Sequence, residues 1–174
     1  MTIEEWLWIS DSRPDMRRPW NMIDMPVYSL ATYTDSVFNM NISTYVQPVS
    51  MNPKIYMIAV YHGTRTLDIL EKSQFAVLQL LSVKHKKLIR PLGKKSGRNY
   101  NKQAYLQKND WLTQWKGVSV LKDCSALLYL EKKDSIEIGG DHRLFWFDVK
   151  GLRSINDQNI LYFQDLISEG LIMG

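Results

Sequence analysis

The chain has 174 residues, 45% of them hydrophobic, with 22 Lys plus Arg against 18 Asp plus Glu and a formal net charge of +4. That is the profile of one globular domain with enough apolar material for a core, which excludes intrinsic disorder as its main state. A single cysteine, Cys124, excludes an internal disulfide and a thiolate metal cluster, and no apolar run approaches the roughly 18 residues of a membrane span.

The opening Glu4-Glu5-Trp6-Leu7-Trp8 has neither the basic leader nor the small-residue cleavage site of a secretory signal, so a cytoplasmic location is expected. Residues 1–26, with Pro14, Pro19, Pro26 and Trp20, read as an irregular N-terminal arm. Val27–Thr34 and Val37–Thr44 are rich in β-branched and aromatic residues around Asp35-Ser36, which predicts a hairpin. Lys54–Tyr61 predicts a strand buried on both faces and closed by His62-Gly63. Thr64–Ser73 then changes period to a short helix with Thr64 or Thr66 as N-cap and Asp68 in its first turn. Phe75–Leu81 is another apolar strand. Val118–Leu130, Ser135–Ile138 and His142–Val149 follow as strands, the last after the Gly139-Gly140-Asp141 turn. Asn156–Glu169 carries Ile160, Phe163, Leu166 and Ile167 at helical spacing, with Gly170 as its C-terminal cap. Strands without long intervening helices predict a mainly β single domain, a β-barrel with short helical insertions and a C-terminal helix over 151–174.

Charge is concentrated. Lys84, Lys86, Lys87, Arg90, Lys94, Lys95, Arg98 and Lys102 lie in one stretch without an acidic residue, so the rest of the chain is net acidic. Such a run suits an anionic partner or a solvated helix face. Within it, Gly93-Lys94-Lys95-Ser96-Gly97 allows close backbone approach to an anion, although its spacing is not that of a phosphate-binding Walker loop. A basic β-barrel that binds nucleic acid through Lys84–Lys102 is the reading from a different class; only Tyr100 and Tyr105 lie near these charges.

The inventory for acid–base catalysis is thin: His62, His85 and His142, with no nucleophile elbow, HExxH, GxGxxG or paired-carboxylate pattern. A bound cofactor, if any, would therefore carry the reaction. The polar stretch from Asn39 to Ser50 interrupts the apolar strands and contains Pro48, which fits an edge or bulge whose free backbone groups meet a heteroaromatic ring, or simply a surface strand.

Taken in order, Asn39–Pro53, Thr64–Leu70, Phe75–Leu80, Ser96-Gly97 with Lys102, and Gly140-Asp141-His142 resemble the flavin reductase-like family, over roughly residues 24–150. The resemblance implies an FMN-binding split barrel of Greek-key type over 27–150. It implies that the flavin ring lies along Asn41, Ser43, Thr44, Tyr45 and Val46, largely on backbone groups, with Ser50 nearby. His62, Gly63, Thr64, Arg65 and Thr66 would face the ribityl chain and phosphate, together with Ser96, Gly97 and Lys102. His142 would be the catalytic candidate beside the nicotinamide site. Where relatives often carry Thr, this chain has Ile42, and it has Pro53-Lys54 in place of a double proline. The implied activity is hydride transfer from NAD(P)H to FMN, with FAD as the alternative flavin, no metal, a homodimer, and a flavin-dependent acceptor protein downstream. The same fold also serves flavin-binding electron carriers and non-catalytic members.

Overall fold

Residues 19–35 and 37–172 are described by the computed structural model. The Trp6, Trp8 and Pro14 part of the predicted arm lies outside them, as does Ser36 of the predicted turn. A short helix α1 (Pro19–Met22) leads into strand β1 (Tyr28–Tyr33), which pairs antiparallel with β2 (Phe38–Ser43), Tyr28 opposite Ser43 and Tyr33 opposite Phe38. The hairpin reading is met, and Thr34 and Val37 close it: the Thr34 N–H donates to Val37 O at 2.8 Å. A second hairpin joins β3 (Val46–Met51) to β4 (Lys54–Tyr61), its register broken between Pro48 and Ser50 because proline brings no ladder donor. Helix α2 (Arg65–Leu70) and strand β5 (Phe75–Leu80) follow. Next come a 3-10 helix (Val83–Leu88), a π-helical turn (Ile89–Lys94) and helix α3 (Lys102–Lys108). A small hairpin, β6 (Leu112–Trp115) and β7 (Val118–Leu121), precedes the two long strands β8 (Ala126–Glu137) and β9 (His142–Ser154), and helix α4 (Phe163–Ser168) ends the fold.

Seven strands form one antiparallel sheet in the order β2-β1-β5-β8-β9-β4-β3, while β6 and β7 pair apart. Strand β1, next to the edge strand β2, is buried along its whole length, so its odd and even residues feed two cores. Tyr28 and Leu30 join Ile58, Val60, Leu78, Leu130, Phe145, Phe147 and the α2 residues Leu67 and Leu70. Val27, Ala31 and Tyr33 join Met40, Val77, Leu88, Ile89, Leu92, Leu106 and Leu166 under the helical segments. Strands β2 and β3 are the two sheet edges, and the polar stretch 39–50 lies across that opening. This is the split of the barrel.

Four expectations need correction. Strand β4 is buried only at Ile58 and Val60, because it lies next to edge strand β3. The predicted strand over 118–130 breaks at Lys122–Ser125, where Asp123 takes a positive φ of 57° and the Ser125 N–H turns to Leu80 O (2.8 Å). Ser135–Ile138 is no separate strand: β8 runs through the charged Lys132-Lys133-Asp134 by a bulge opposite β9. Strand β9 continues to Ser154, and the predicted helix over 156–169 is only Phe163–Ser168. There Ile160 and Leu161 are taken by tertiary pairing: Ile160 bridges Ser82, and the Leu161 N–H donates to Leu81 O at 2.9 Å. Gly170, at φ 65°, caps that helix as expected.

His85 packs in the helical layer. Its Nδ1 accepts from the Ser82 N–H (3.1 Å) while Nε2 meets Lys122 O (2.8 Å), so it is neutral with its proton on Nε2. Burial holds its pKa below the usual histidine value, against a smaller opposing pull from the Lys122 and Ser82 carbonyls and Asp123. The unfolded chain therefore binds more protons as pH falls below about 6.5, and this contribution to stability, full above that pH, is lost on acidification through the folded pKa. Urea midpoints at pH 7.5 and pH 5 should differ, with the lower stability at pH 5, and His85→Gln should shrink the difference.

Candidate functional site

Strand periodicity and the edge position of β2 create the site. Phe38, Met40 and Ile42 point to the helical layer, and Asn39, Asn41 and Ser43 to the opposite face, beside α2. On the open edge of β2 the Phe38 N–H donates to Gln103 Oε1 (3.3 Å) and Met40 O accepts from Lys102 Nζ (2.9 Å). Alternation then turns the Ile42 N–H and C=O to that same edge, where they have no partner among the described residues. The Ile42 side chain lies against Gly93 of the π-helical turn.

A concavity of about 400 Å³ opens at this edge. It gathers Asn41, His62, Gly63, Thr64, Arg65, Thr66, Ser96, Gly97 and Lys102 from the predicted set, and adds Asn39, Ile42, Tyr61, Leu92, Gly93, Lys94 and Lys95. The other predicted residues lie outside its lining. Ser43 is buried, Thr44 accepts the Val46 N–H at its carbonyl (2.9 Å), Tyr45 O accepts from the Ala59 N–H (3.0 Å), and Val46 and Ser50 pair with β4. His142 also stands outside. Its ring sits 5.2 Å from that of Tyr45 and 5.3 Å from that of Tyr61, and Tyr61 lines the cavity. Asp141 Oδ1 is 2.6 Å from His142 Nδ1, and this bond holds the Asp141 carboxyl below the usual carboxylate range.

The hydroxyls and the lysine of this wall all have partners within the protein, and the expected N-cap role falls to Thr64. Thr64, the N-cap of α2, donates its hydroxyl to Tyr61 O (2.8 Å) and accepts from the Leu67 N–H (3.3 Å). Thr66 Oγ1 is sealed in, accepting from Asn39 Nδ2 (3.0 Å). Lys102 is buried at 5% exposure, and its ammonium is committed to Met40 O (2.9 Å) and Leu92 O (2.6 Å), which ties β2 to the π-helical turn. Burial pulls its pKa down to about 8. Lys102 therefore serves as a strut in the cavity wall. Of the lining cations, Arg65, Lys94 and Lys95 make no ion pair among the described residues; Lys95 lies 4.2 Å over the Tyr100 ring, and Arg65 faces the Asp68 carboxylate, which is itself paired with Arg98 at 2.7 Å. The basic run is thus dispersed: Lys84 pairs with Asp123, Lys86 with Glu169, and only some of its charges face one concavity.

Two features bear on what fits there. Asn41 Oδ1 is buried with no hydrogen-bond partner, an arrangement that costs about 1–3 kcal/mol until a donor arrives. Gly97 allows the 93–97 loop to close on the wall: a Cβ there would lie 2.2 Å from Asn39 Oδ1. Asn39 was missed by the sequence reading, although the period of two that places Asn41 on this face places Asn39 there too. A larger hollow of about 770 Å³ lies at the far end of β1, between Tyr33, Phe75 and Val118, and none of the predicted site residues lines it.

The fold and the site define a class: a split β-barrel that presents free backbone groups, an unpaired amide and unpartnered cations at its open strand edge. The flavin reductase like domain model matches residues 20–169, and the chain belongs to that family, further into the C-terminal segment than the sequence motifs reach. The FMN-binding protein from Thermus thermophilus with bound 1-cyclohex-2-enone superposes with a TM-score of 0.69 at 18% identity, over 82% of this chain and 78% of that one. Flavoredoxin from Methanosarcina acetivorans gives 0.67 at 16% identity, over 79% and 72%. The styrene monooxygenase flavin reductase from Pseudomonas putida S12 gives 0.68 at 16% identity, over 83% and 89%. No curated protein matches the sequence. Among the described residues no helix is long and apolar enough to cross a membrane, and no cluster of His, Cys, Asp or Glu could hold a metal.

Proposed function

We propose that this chain is a cytoplasmic NAD(P)H:flavin reductase that holds FMN, or FAD, at the β2 edge. The observation that carries the reading is the convergence of a buried Asn41 Oδ1 without a hydrogen-bond partner, a free Ile42 backbone pair and the Arg65 and Lys94 charges in one concavity. Bound there, the flavin supplies the hydride acceptor that no side chain of the protein provides. Arg65 and Lys94 offer charge to a phosphate, and the Ile42 N–H and C=O offer directional contacts to a polar ring edge. Lys102 fixes the distance between strand and turn, so these donors are in place before the ligand arrives. The Asp141 carboxylate, 2.6 Å from His142 Nδ1, fixes the imidazole between the Tyr45 and Tyr61 rings.

A homodimer completes the reading. Tyr45, just before β3, Val49 and Met51 on β3, and Ile136 and Ile138 at the far end of β8 are exposed apolar side chains; Met51 is 81% exposed. A second copy seated on this edge would cover them and bring the outlying Thr44, Tyr45, Ser50 and His142 to a shared pocket. An acceptor protein would then draw on the reduced flavin.

The test is a titration of purified protein with FMN, followed by flavin fluorescence, and then NADH or NADPH oxidation. Saturable binding that Arg65→Ala weakens about tenfold, with an unchanged melting temperature, supports the reading. Absence of binding overturns it, and binding without oxidation of either nicotinamide leaves an electron carrier of the same fold.

A further inference from the structure

The larger hollow, of about 770 Å³, has no part in the flavin reading. It lies where β1 ends and β2 begins, so Phe38 on its wall stands about 13 Å along β2 from Ile42 at the edge cavity. The 34–37 turn, the connection from Lys72 to Phe75 and the tip of the β6–β7 hairpin close around it. Its volume falls within the range of small-molecule sites. We propose that it is a second ligand site, shaped for an aromatic amino acid: ring surface at its floor, and at its rim one lysine and one aspartate that are both unpaired.

The walls are in place before any ligand enters. Tyr33, 8% exposed, stacks on Phe75 (5.3 Å, 14°), Phe75 stacks in turn on Tyr129 (5.2 Å, 11°), and Phe38 is tilted against Tyr33 at 6.2 Å. A ligand ring laid against Phe38 and Phe75 would extend this column. The hairpin tip is held too: Lys116 and Gly117 turn through positive φ (51° and 79°), and the Lys116 stem lies so close to Gly151 of β9 that a Cβ there would stand 2.6 Å from Lys116 Cε.

The polar groups of the hollow divide into spent and unspent. The hydroxyls of Tyr33, Thr34 and Ser73 donate to Ser119 O (2.8 Å), Val37 O (3.1 Å) and Phe75 O (2.8 Å), and Gln103 Oε1 accepts the Phe38 N–H (3.3 Å). The Lys72 ammonium, the Asp35 carboxylate, the Gln74 amide and Gln103 Nε2 have no hydrogen bond or ion pair among the described residues. Lys72 faces the Asp68 carboxylate, but Arg98 already holds that group at 2.7 Å. A rim with one free charge of each sign suits a ligand that carries both, a carboxylate for Lys72 and an ammonium for Asp35, with the two amides as further donors to the carboxylate.

The test is calorimetric titration of the purified full chain with tryptophan, tryptamine and indole-3-propionate. Tryptophan should bind saturably, and each analogue, which lacks one of the two charges, at least about tenfold more weakly. Lys72→Ala should erase the advantage of tryptophan over tryptamine, and Asp35→Asn its advantage over indole-3-propionate; both positions are exposed, so the melting temperature should not change. An excess of FMN should leave tryptophan binding as it was, which keeps this site separate from the flavin reading. Absence of saturable tryptophan binding overturns the inference and leaves the flavin reading standing. Equal affinities for the three ligands also overturn it, since they mean ring burial without recognition of the charges. Competition by FMN overturns it by giving tryptophan to the edge cavity.

Discussion

Lys102→Met is expected to destabilise the fold by about 3 kcal/mol and to weaken flavin binding by more than about tenfold. The substitution keeps the length of the side chain and removes the donors to Met40 O and Leu92 O, two carbonyls on segments that nothing else in the wall ties together in this way. In a chain of this size that loss lowers the melting temperature by roughly 10 °C. The pH dependence identifies the cause. With a folded pKa of about 8 against 10.5 for a free lysine, the unfolded chain binds the extra proton between those values, so the contribution of Lys102 to stability rises with pH across that window. The neutral amine still donates two N–H groups to the two carbonyls. The gap between wild type and variant should therefore widen from pH 7.5 to pH 9.5 in urea unfolding, and a constant gap would refute the strut. Arg65→Ala is the contrast, since it should lower affinity without lowering the melting temperature.

Gly97→Ala should cost about 2 kcal/mol and about tenfold in flavin affinity, far more than a single methyl on a loop ordinarily does. The added Cβ would meet Asn39 Oδ1 at 2.2 Å and Arg65 Cβ at 3.2 Å. Asn39 is 5% exposed and its Nδ2 is bonded to Thr66 Oγ1 at 3.0 Å, so it has nowhere to retreat without breaking a buried bond. The double variant Asn39→Ala with Gly97→Ala should then lose less than the sum of the two single losses. Additive losses in paired denaturation curves would show that the close approach is not what makes residue 97 a glycine.

Much of this arrangement is legible from local pattern. The hairpin of Tyr28–Tyr33 with Phe38–Ser43, the strand from Lys54 and the short helix capped by Thr64 all follow from alternation, turn chemistry and capping. So does the site's neighbourhood, because the polar run 39–50, the start of α2 and the 93–97 loop are each anomalous in their own sequence context. What each side chain does there is another matter. A lysine in a basic run reads as an anion ligand, yet Lys102 points at a carbonyl 62 residues earlier in the chain. Thr64 or Thr66 could each cap the helix from local pattern; the structure gives the cap to Thr64 and ties Thr66 to Asn39, 27 residues away in the chain.

The sequence by itself determined the β class and the segments from which the cavity is made, since these depend on periodicity and turn residues within a few positions of one another, while the split-barrel family came from the resemblance of its motifs in order. Only the tertiary structure decided that β8 passes through its charged bulge, that β9 outruns its predicted end and that Ile160 and Leu161 leave a helical pattern to pair with Ser82 and Leu81. The physical reason is common to all of them. A buried donor or acceptor must find a partner wherever the fold brings one, and that partner is set by distance in space, which local spacing in the chain does not encode.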